Sequence, residues 1–154
     1  MATAYDERLG VPLRWWVQGS MLVASLWLAL IVAVPGVVAW SVTAVALGLL
    51  ALLLRGYGST RILVGDGMLR VGRAQIEARH LGVVEALDAG AARRAAGVDA
   101  DARAFLLLRP YLSRAVRVEI TDPADPAPYW LVSTRHPDAL AGAVAEMTAR
   151  RTTG

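Results

Sequence analysis

Cysteine is absent from the 154 residues, which excludes thiol catalysis, disulfide cross-links and thiolate metal sites together. Only two histidines occur, and neither His80 nor His136 has a second imidazole at metal-ligand spacing. His136, next to Pro137, is expected at a helix entry and His80 at a strand end. Ser113 and Ser133 lack the strand-turn-helix context of a nucleophile elbow. Neither "GVPLRWWVQG" nor "RGYGST" has the strand-loop-helix setting in which a glycine-rich loop cradles phosphate. A formal net charge of +3 does not mark a nucleic-acid surface, so Arg93 and Arg94 are read as a solvated helix face. Lysine is also missing; with abundant alanine, this fits the codon bias of a high-GC genome and carries no chemistry. The sequence therefore points away from an enzyme, and no cofactor or metal is expected.

Charge is missing locally as well. From residue 15 to residue 54 there is no Asp, Glu, Lys, Arg or His, whereas charges are spread throughout the rest. A helix crossing the hydrocarbon core needs roughly 20 apolar residues, so this run is long enough for two spans and too long for one. Pro35-Gly36 stands near its middle, a pair suited to a tight reversal because proline cannot donate a backbone hydrogen bond and glycine tolerates unusual conformations. A cleaved signal peptide is not indicated, because "MATAYDERLGVPLR" balances Asp6 and Glu7 against Arg8 and Arg14 where a basic n-region is needed.

The expected organisation is a cytoplasmic N-terminal tail (1–14), a two-helix transmembrane hairpin (15–54, turn at 35–36), a linker (55–60) and a cytoplasmic domain (61–154). Arg8 and Arg14 before the run, and Arg55 and Arg61 after it, place both termini on the cytoplasmic side of the cell (inner) membrane. Trp15, Trp16 and Trp40 suit interfacial positions, and Trp27 suits packing in mid-span. The polar residues inside the run, Gln18, Ser20, Ser25, Ser41 and Thr43, do not titrate, so the spans read as an anchor rather than an ion pathway. Ser25, Ala29 and Ala33, and likewise Ala44 and Gly48, recur at four-residue spacing; such small faces pair helices within a hairpin or support a homo-oligomer.

Beyond the linker, strand signals recur: "RILV", then "GDG" as a tight turn, then "MLRVG", followed by "AQIEARH", "LGVVEAL", "AFLLLR", "AVRVEIT" and "YWLVST". "DAGAARRAAG" interrupts them as a short helix or irregular excursion, and "AFLLLR" is expected to be a strand buried on both faces. Pro137 and Asp138 open a last helix, Leu140, Val144 and Met147 form its apolar face, and Arg150 with Arg151 suits its C-terminal end. The predicted fold is an α+β membrane protein with seven mostly antiparallel strands capped by an amphipathic helix. It resembles the pleckstrin-homology type of barrel, with a split αβ sandwich as the rival.

The opening "YDERLGVPLRWW", the central "GDGMLRVGRA" and the stretch "VRVEITDPADPAPYWLVSTRHPDAL" are similar to an actinobacterial family of small membrane proteins, domain of unknown function 3093. That resemblance covers nearly the whole chain and implies two spans, a cytoplasmic C-terminal domain and no assigned activity. It supplies no catalytic residue.

Two candidate surfaces follow from the residues. The proline-stiffened loop "TDPADPAPYW" offers Asp122, Asp125, Tyr129 and Trp130 as a patch for a partner protein, against a plain reading as a rigid hairpin connection. Arg55, Arg61, Arg70 and Arg73 offer contacts to anionic headgroups of the adjacent leaflet. The short, acid-containing "GDG" turn argues against phosphoinositide recognition of the pleckstrin type. The expected function is a non-catalytic scaffold or accessory subunit that binds a membrane or cytoplasmic protein, with anionic-lipid sensing as the alternative.

Overall fold

Val34 and Pro35 turn the apolar run back on itself: both have extended backbone, the Val34 amide closes the first helix on the Leu30 carbonyl, and the Pro35 carbonyl opens the second by accepting from Val38 and Ala39. The computed structural model describes residues 3–152. Their order is β1 (Thr3–Arg8), α1 (Leu13–Ala33), α2 (Gly36–Tyr57), β2 (Arg61–Gly65), β3 (Met68–Val71), β4 (Ala74–Glu77), β5 (Leu81–Leu87), α3 (Ala89–Ala96), β6 (Phe105–Leu107), β7 (Ala115–Ile120), β8 (Tyr129–Ser133) and α4 (Pro137–Thr152), with a single 3-10 turn at Ala78–His80. Residues 9–60 form a helical unit; the residues up to Arg8 and those from Arg61 onward form a second, sheet-containing unit.

In the helical unit both helices are long and apolar enough to cross a membrane. The helix pair is zipped at Gly19, where an added Cβ would lie 2.8 Å from Leu50, and at Trp27, whose ring is tilted against Trp40 at 5.3 Å. Ala39 and Thr43 are buried on the second helix. Ser25, Ala29, Ala33, Ala44 and Gly48 are instead exposed, so the small-residue faces expected to pair the hairpin lie outside its seam. The seam runs instead through Gly19, whose missing side chain makes room for Leu50, and through the Trp27–Trp40 pair. At the open end Trp15 stacks on Tyr57, and the Leu9 amide bonds the Thr60 carbonyl at 2.9 Å. The second helix runs three residues beyond the expected 54, which shortens the linker to Gly58–Thr60.

The sheet unit holds the main departure from expectation. Residues 1–14 were expected to be a tail, yet Thr3–Arg8 is a strand, paired antiparallel with β2 in the register Arg8↔Arg61 and Asp6↔Leu63. The alternation in "YDER" supplies the cause, since Tyr5 and Glu7 turn inward while Asp6 and Arg8 face out. The whole helical unit is thus an insertion between two neighbouring strands of one sheet. Eight strands result, not seven, in two sheets ordered β1-β2-β3-β4 and β5-β7-β8-β6.

Ile62, Val64, Leu69, Val71 and Ile76 line the inner face of the first sheet, and Val116, Val118, Trp130 and Val132 alternate on the second. Leu140 and Val144 of α4 are buried, Met147 is half-buried, and α4 packs on strands of both sheets. The side chain of Arg151, expected to favour the end of this helix, lies outside the described residues. Expectation also fails at "AFLLLR": only Phe105–Leu107 is strand, and it is an edge paired parallel to β8 with Leu106 exposed. The strand buried on both faces is β8, because it lies between β7 and β6 and has α3 on its outer side.

Candidate functional site

One end of the sheet unit gathers five chain segments. β1 ends there at Arg8 and β2 begins there at Arg61. The β3–β4 turn joins them through the Gly72 amide, which bonds the Arg61 carbonyl at 2.9 Å; Gly72 has φ +62°, a left-handed conformation that suits glycine, and Arg73 follows it. The Thr134 amide bonds the carbonyl of Arg114, the last residue of the β6–β7 loop, which brings in the segment after β8. The β6–β7 loop closes the group through the Arg109 amide, 3.1 Å from the Ser133 hydroxyl.

A buried carboxylate fastens these segments. Glu7 is only 7% exposed and accepts from the Tyr5 hydroxyl at 2.6 Å, from the Thr134 hydroxyl and from the Arg135 amide at 2.9 Å. The Thr134 hydroxyl oxygen in turn accepts from the His136 amide at 3.1 Å. Burying a charge is costly unless several donors surround it, and here three donors do so, one from β1 itself and two from the segment after β8. Burial first, and then the bond to Glu7, push the Tyr5 phenol from the usual 10.0 up to about 12. The Arg135 guanidinium donates to the Arg8 carbonyl at 2.9 Å, and Arg114 donates to the Arg135 carbonyl at 3.1 Å.

The outer surface of this end is strongly basic. Arg8, Arg61, Arg73 and Arg114 are exposed, with Arg109 and Arg135 half-buried among them. Asp6 and Glu7 of β1 are carboxylates at this end, and Asp138 stands in the first turn of α4. Asp6 is held by Arg61 in a two-pronged ion pair, which keeps its carboxyl below the usual range, and Glu7 is spent inside the network. Among the described residues, Arg8, Arg73 and Arg114 have no carboxylate within ion-pair distance.

Of the four arginines proposed as headgroup contacts, the structure brings Arg61 and Arg73 to this end. Arg70 lies on the outer face of the same sheet, opposite Leu63 and Gln75, and Arg55 is an exposed residue of α2 in the other unit. Arg8, Arg109, Arg114 and Arg135 complete the cluster without having been expected there. Their only signal in the sequence is position, since each stands at or within two residues of a strand end.

The four residues of the proposed partner patch are differently placed. Tyr129 and Trp130 are buried, on opposite faces of β8. Tyr129 accepts from the Asp101 amide at 3.0 Å and lies under the Arg117 guanidinium at 4.2 Å, while Trp130 is tilted against Phe105 at 5.0 Å. Asp122 and Asp125 are half-buried in the loop, where each accepts a backbone amide two residues on, from Ala124 and Ala127, both at 2.9 Å. The Ile120 amide meets the Pro128 carbonyl across the loop base. This geometry is a stiff hairpin connection with its aromatic end in the core, and it leaves the aspartates as the accessible part.

Elsewhere the described residues line an open cleft of about 410 Å³ between the β2–β3 turn and α4, and another of about 350 Å³ on the outer face of the second sheet beside Val83, Arg117 and Tyr129. Among the described residues no cluster of His, Asp or Glu has metal-binding form. His80 lies 3.9 Å from Asp122 at the base of the hairpin loop.

A family model described as "Protein of unknown function (DUF3093)" matches residues 4–144. No curated protein and no solved structure matches the chain. The match takes in β1, both long helices and all eight strands, so the inserted hairpin and the sheet unit belong to one family pattern.

Proposed function

We propose that this chain, which belongs to the DUF3093 family, is a two-span protein of the cell membrane that holds a non-catalytic binding domain against the cytoplasmic leaflet. There the domain acts as a scaffold or accessory subunit for another protein. The insertion of the hairpin between β1 and β2 carries this reading. A domain hung on one linker tumbles, whereas here the chain leaves at Arg8 and returns at Arg61, its register partner. The connections Leu9–Pro12 and Gly58–Thr60 are only a few residues each, with a reach of roughly 3.5 Å per residue. Both short connections attach to adjacent strands at one end of the domain, the end opposite the Asp66-Gly67 turn.

The domain is also proposed to be of pleckstrin-homology type. A four-stranded meander, a second sheet and a C-terminal helix packed on both support that; the parallel β6–β8 pair departs from it.

Placement is testable because the chain has no cysteine of its own. Val37→Cys and Val98→Cys lie at exposed sites, 80% and 87%. A membrane-impermeant maleimide applied to intact cells is expected to label the first and to reach the second only after permeabilisation. Labelling of residue 98 from outside sinks the placement. The scaffold role is tested by crosslinking in native membranes with mass-spectrometric identification, which is expected to recover a stoichiometric protein partner; recovery of lipid adducts alone overturns that role.

A further inference from the structure

We infer that the arginine end of the sheet unit is a docking face for anionic phospholipid, with the β6–β7 loop as its interfacial tip. The inference rests on the placement proposed above and goes beyond it by naming the ligand. Three independent features converge. The first is charge: Arg8, Arg73 and Arg114 are exposed with no carboxylate in ion-pair distance, and Arg61, Arg109 and Arg135 stand among them. The second is continuity: this is the end at which the chain departs into, and returns from, helices of membrane-spanning length. The third is the make-up of the loop. "RPYLSR", Arg109 to Arg114, sets Pro110, Tyr111 and Leu112 between two arginines, and the Leu112 amide bonds the Arg109 carbonyl at 2.9 Å to hold it as a turn. Amphipathic aromatic residues between cations are the composition favoured at headgroup depth.

The backbone bonds of Arg114 and Arg135 explain why the cluster is fixed in place. Each guanidinium spends one arm on a neighbouring carbonyl, Arg114 on Arg135 and Arg135 on Arg8, which orders the chain of cations, and Arg114 keeps further donors for phosphate oxygens. An arginine near an anionic surface contributes an amount that corresponds to about fivefold in the docked-to-undocked ratio. The Asp66-Gly67 turn at the other end of the sheet unit has no comparable cluster: Asp66 and Glu146 line a cleft there together with Arg150.

The test uses the full-length protein with Ser113→Cys, an exposed loop position, carrying an environment-sensitive fluorophore. It is reconstituted in nanodiscs of phosphatidylcholine alone or of phosphatidylcholine with phosphatidylglycerol. Docking is expected to shift the label to a drier environment and shield it from an aqueous quencher only in the anionic discs, with the shift reversed by salt. Arg73→Gln with Arg114→Gln is expected to lower the docked ratio about 25-fold, at about fivefold each. Arg114→Lys, which keeps the charge and loses the planar fork, is expected to retain most of it, an outcome that a purely structural role for Arg114 does not predict. Identical spectra in both lipids overturn the inference. So does an equal response to inorganic phosphate in neutral discs, which would assign the site to a free anion. If residue 98 stays cytoplasmic by maleimide labelling while the lipids are indistinguishable, the docking face fails and the placement stands.

Discussion

Glu7 and Thr134 stand 127 positions apart and share a hydrogen bond in the interior of the sheet unit. The contact joins the last strand residues before the first long helix to the segment that opens α4. It is the point where the N-terminal strand is fastened to the far end of the chain.

Replacing Glu7 by alanine strands three donors, the Tyr5 and Thr134 hydroxyls and the Arg135 amide. Leaving buried donors unsatisfied costs roughly 1–3 kcal/mol each, part of it recovered by water, so a loss of about 2–4 kcal/mol in unfolding stability is expected. Glu7→Gln keeps an acceptor and the shape, and its loss is expected to be about half as large. Thermal unfolding of the purified protein in detergent, followed by near-ultraviolet dichroism of the domain, checks both. Equal stability of wild type and Glu7→Ala would mean that β1 is not fastened through this carboxylate.

Tyr5 gives the same network a signature in pH. Its folded pKa is raised above its unfolded value by burial and by the bond to Glu7, so the folded state favours the neutral phenol. The stabilisation is therefore fully present below pH 10.0 and is lost as the pH rises toward about 12. Tyrosinate absorbance is expected to show a late step near that value, and Tyr5→Phe is expected to remove the step and flatten the stability loss over the same window. A late step that survives in Tyr5→Phe belongs to another phenol.

β1 makes the sheet unit discontinuous in sequence, and this too has a measurable result. A polypeptide beginning at Arg61 lacks the partner of β2, leaving Ile62 and Val64 on an unpaired edge and Thr134 without Glu7. It is expected to aggregate or unfold. Joining residues 3–8 directly to residue 61 by a tight Asn-Gly hairpin turn restores the strand, because Arg8 and Arg61 are register partners. That fusion is expected to be soluble, monomeric and cooperatively folded without the long helices. Equal folding of both polypeptides would show that β1 is dispensable.

Most of the fold was legible because periodicity reports burial. The uncharged run, the Pro35-Gly36 break, the alternation of Val116, Val118 and Ile120, and the face of α4 each follow from a local pattern. β1 was not recognised because Asp6, Glu7 and Arg8 look like a solvated flank, and only its pairing with β2 reveals that alternate residues turn inward. The arginine cluster was half visible for a related reason. Arg61 and Arg73 are near the spans in sequence, whereas Arg114 and Arg135 reach the same end only through the β7–β8 pairing. The aromatics Tyr129 and Trp130 were singled out by an unusual motif, and β8 needs them for packing on its two faces.

Gly58 separates a stiff connection from a slack one. An added Cβ there would meet the Val11 amide nitrogen at 2.9 Å and the Leu54 carbonyl oxygen at 3.2 Å, both backbone, so neither can swing aside. Gly58→Val therefore has to push the Leu9–Pro12 and Gly58–Thr60 connections apart and break bonds such as that of the Leu9 amide with the Thr60 carbonyl. Overpacking of this kind costs about 1–3 kcal/mol. Gly56→Ala is the control, since nothing lies within 4 Å of the Cβ position there. If the two connections are packed tightly on each other, Gly58→Val is expected to increase protease cutting at the connections and amide exchange at Leu9, while the interior of β7 and β8 stays protected. A domain that opens throughout in Gly58→Val would instead tie this glycine to folding of the whole chain, and unchanged protection at Leu9 would mean that the connections were slack from the start.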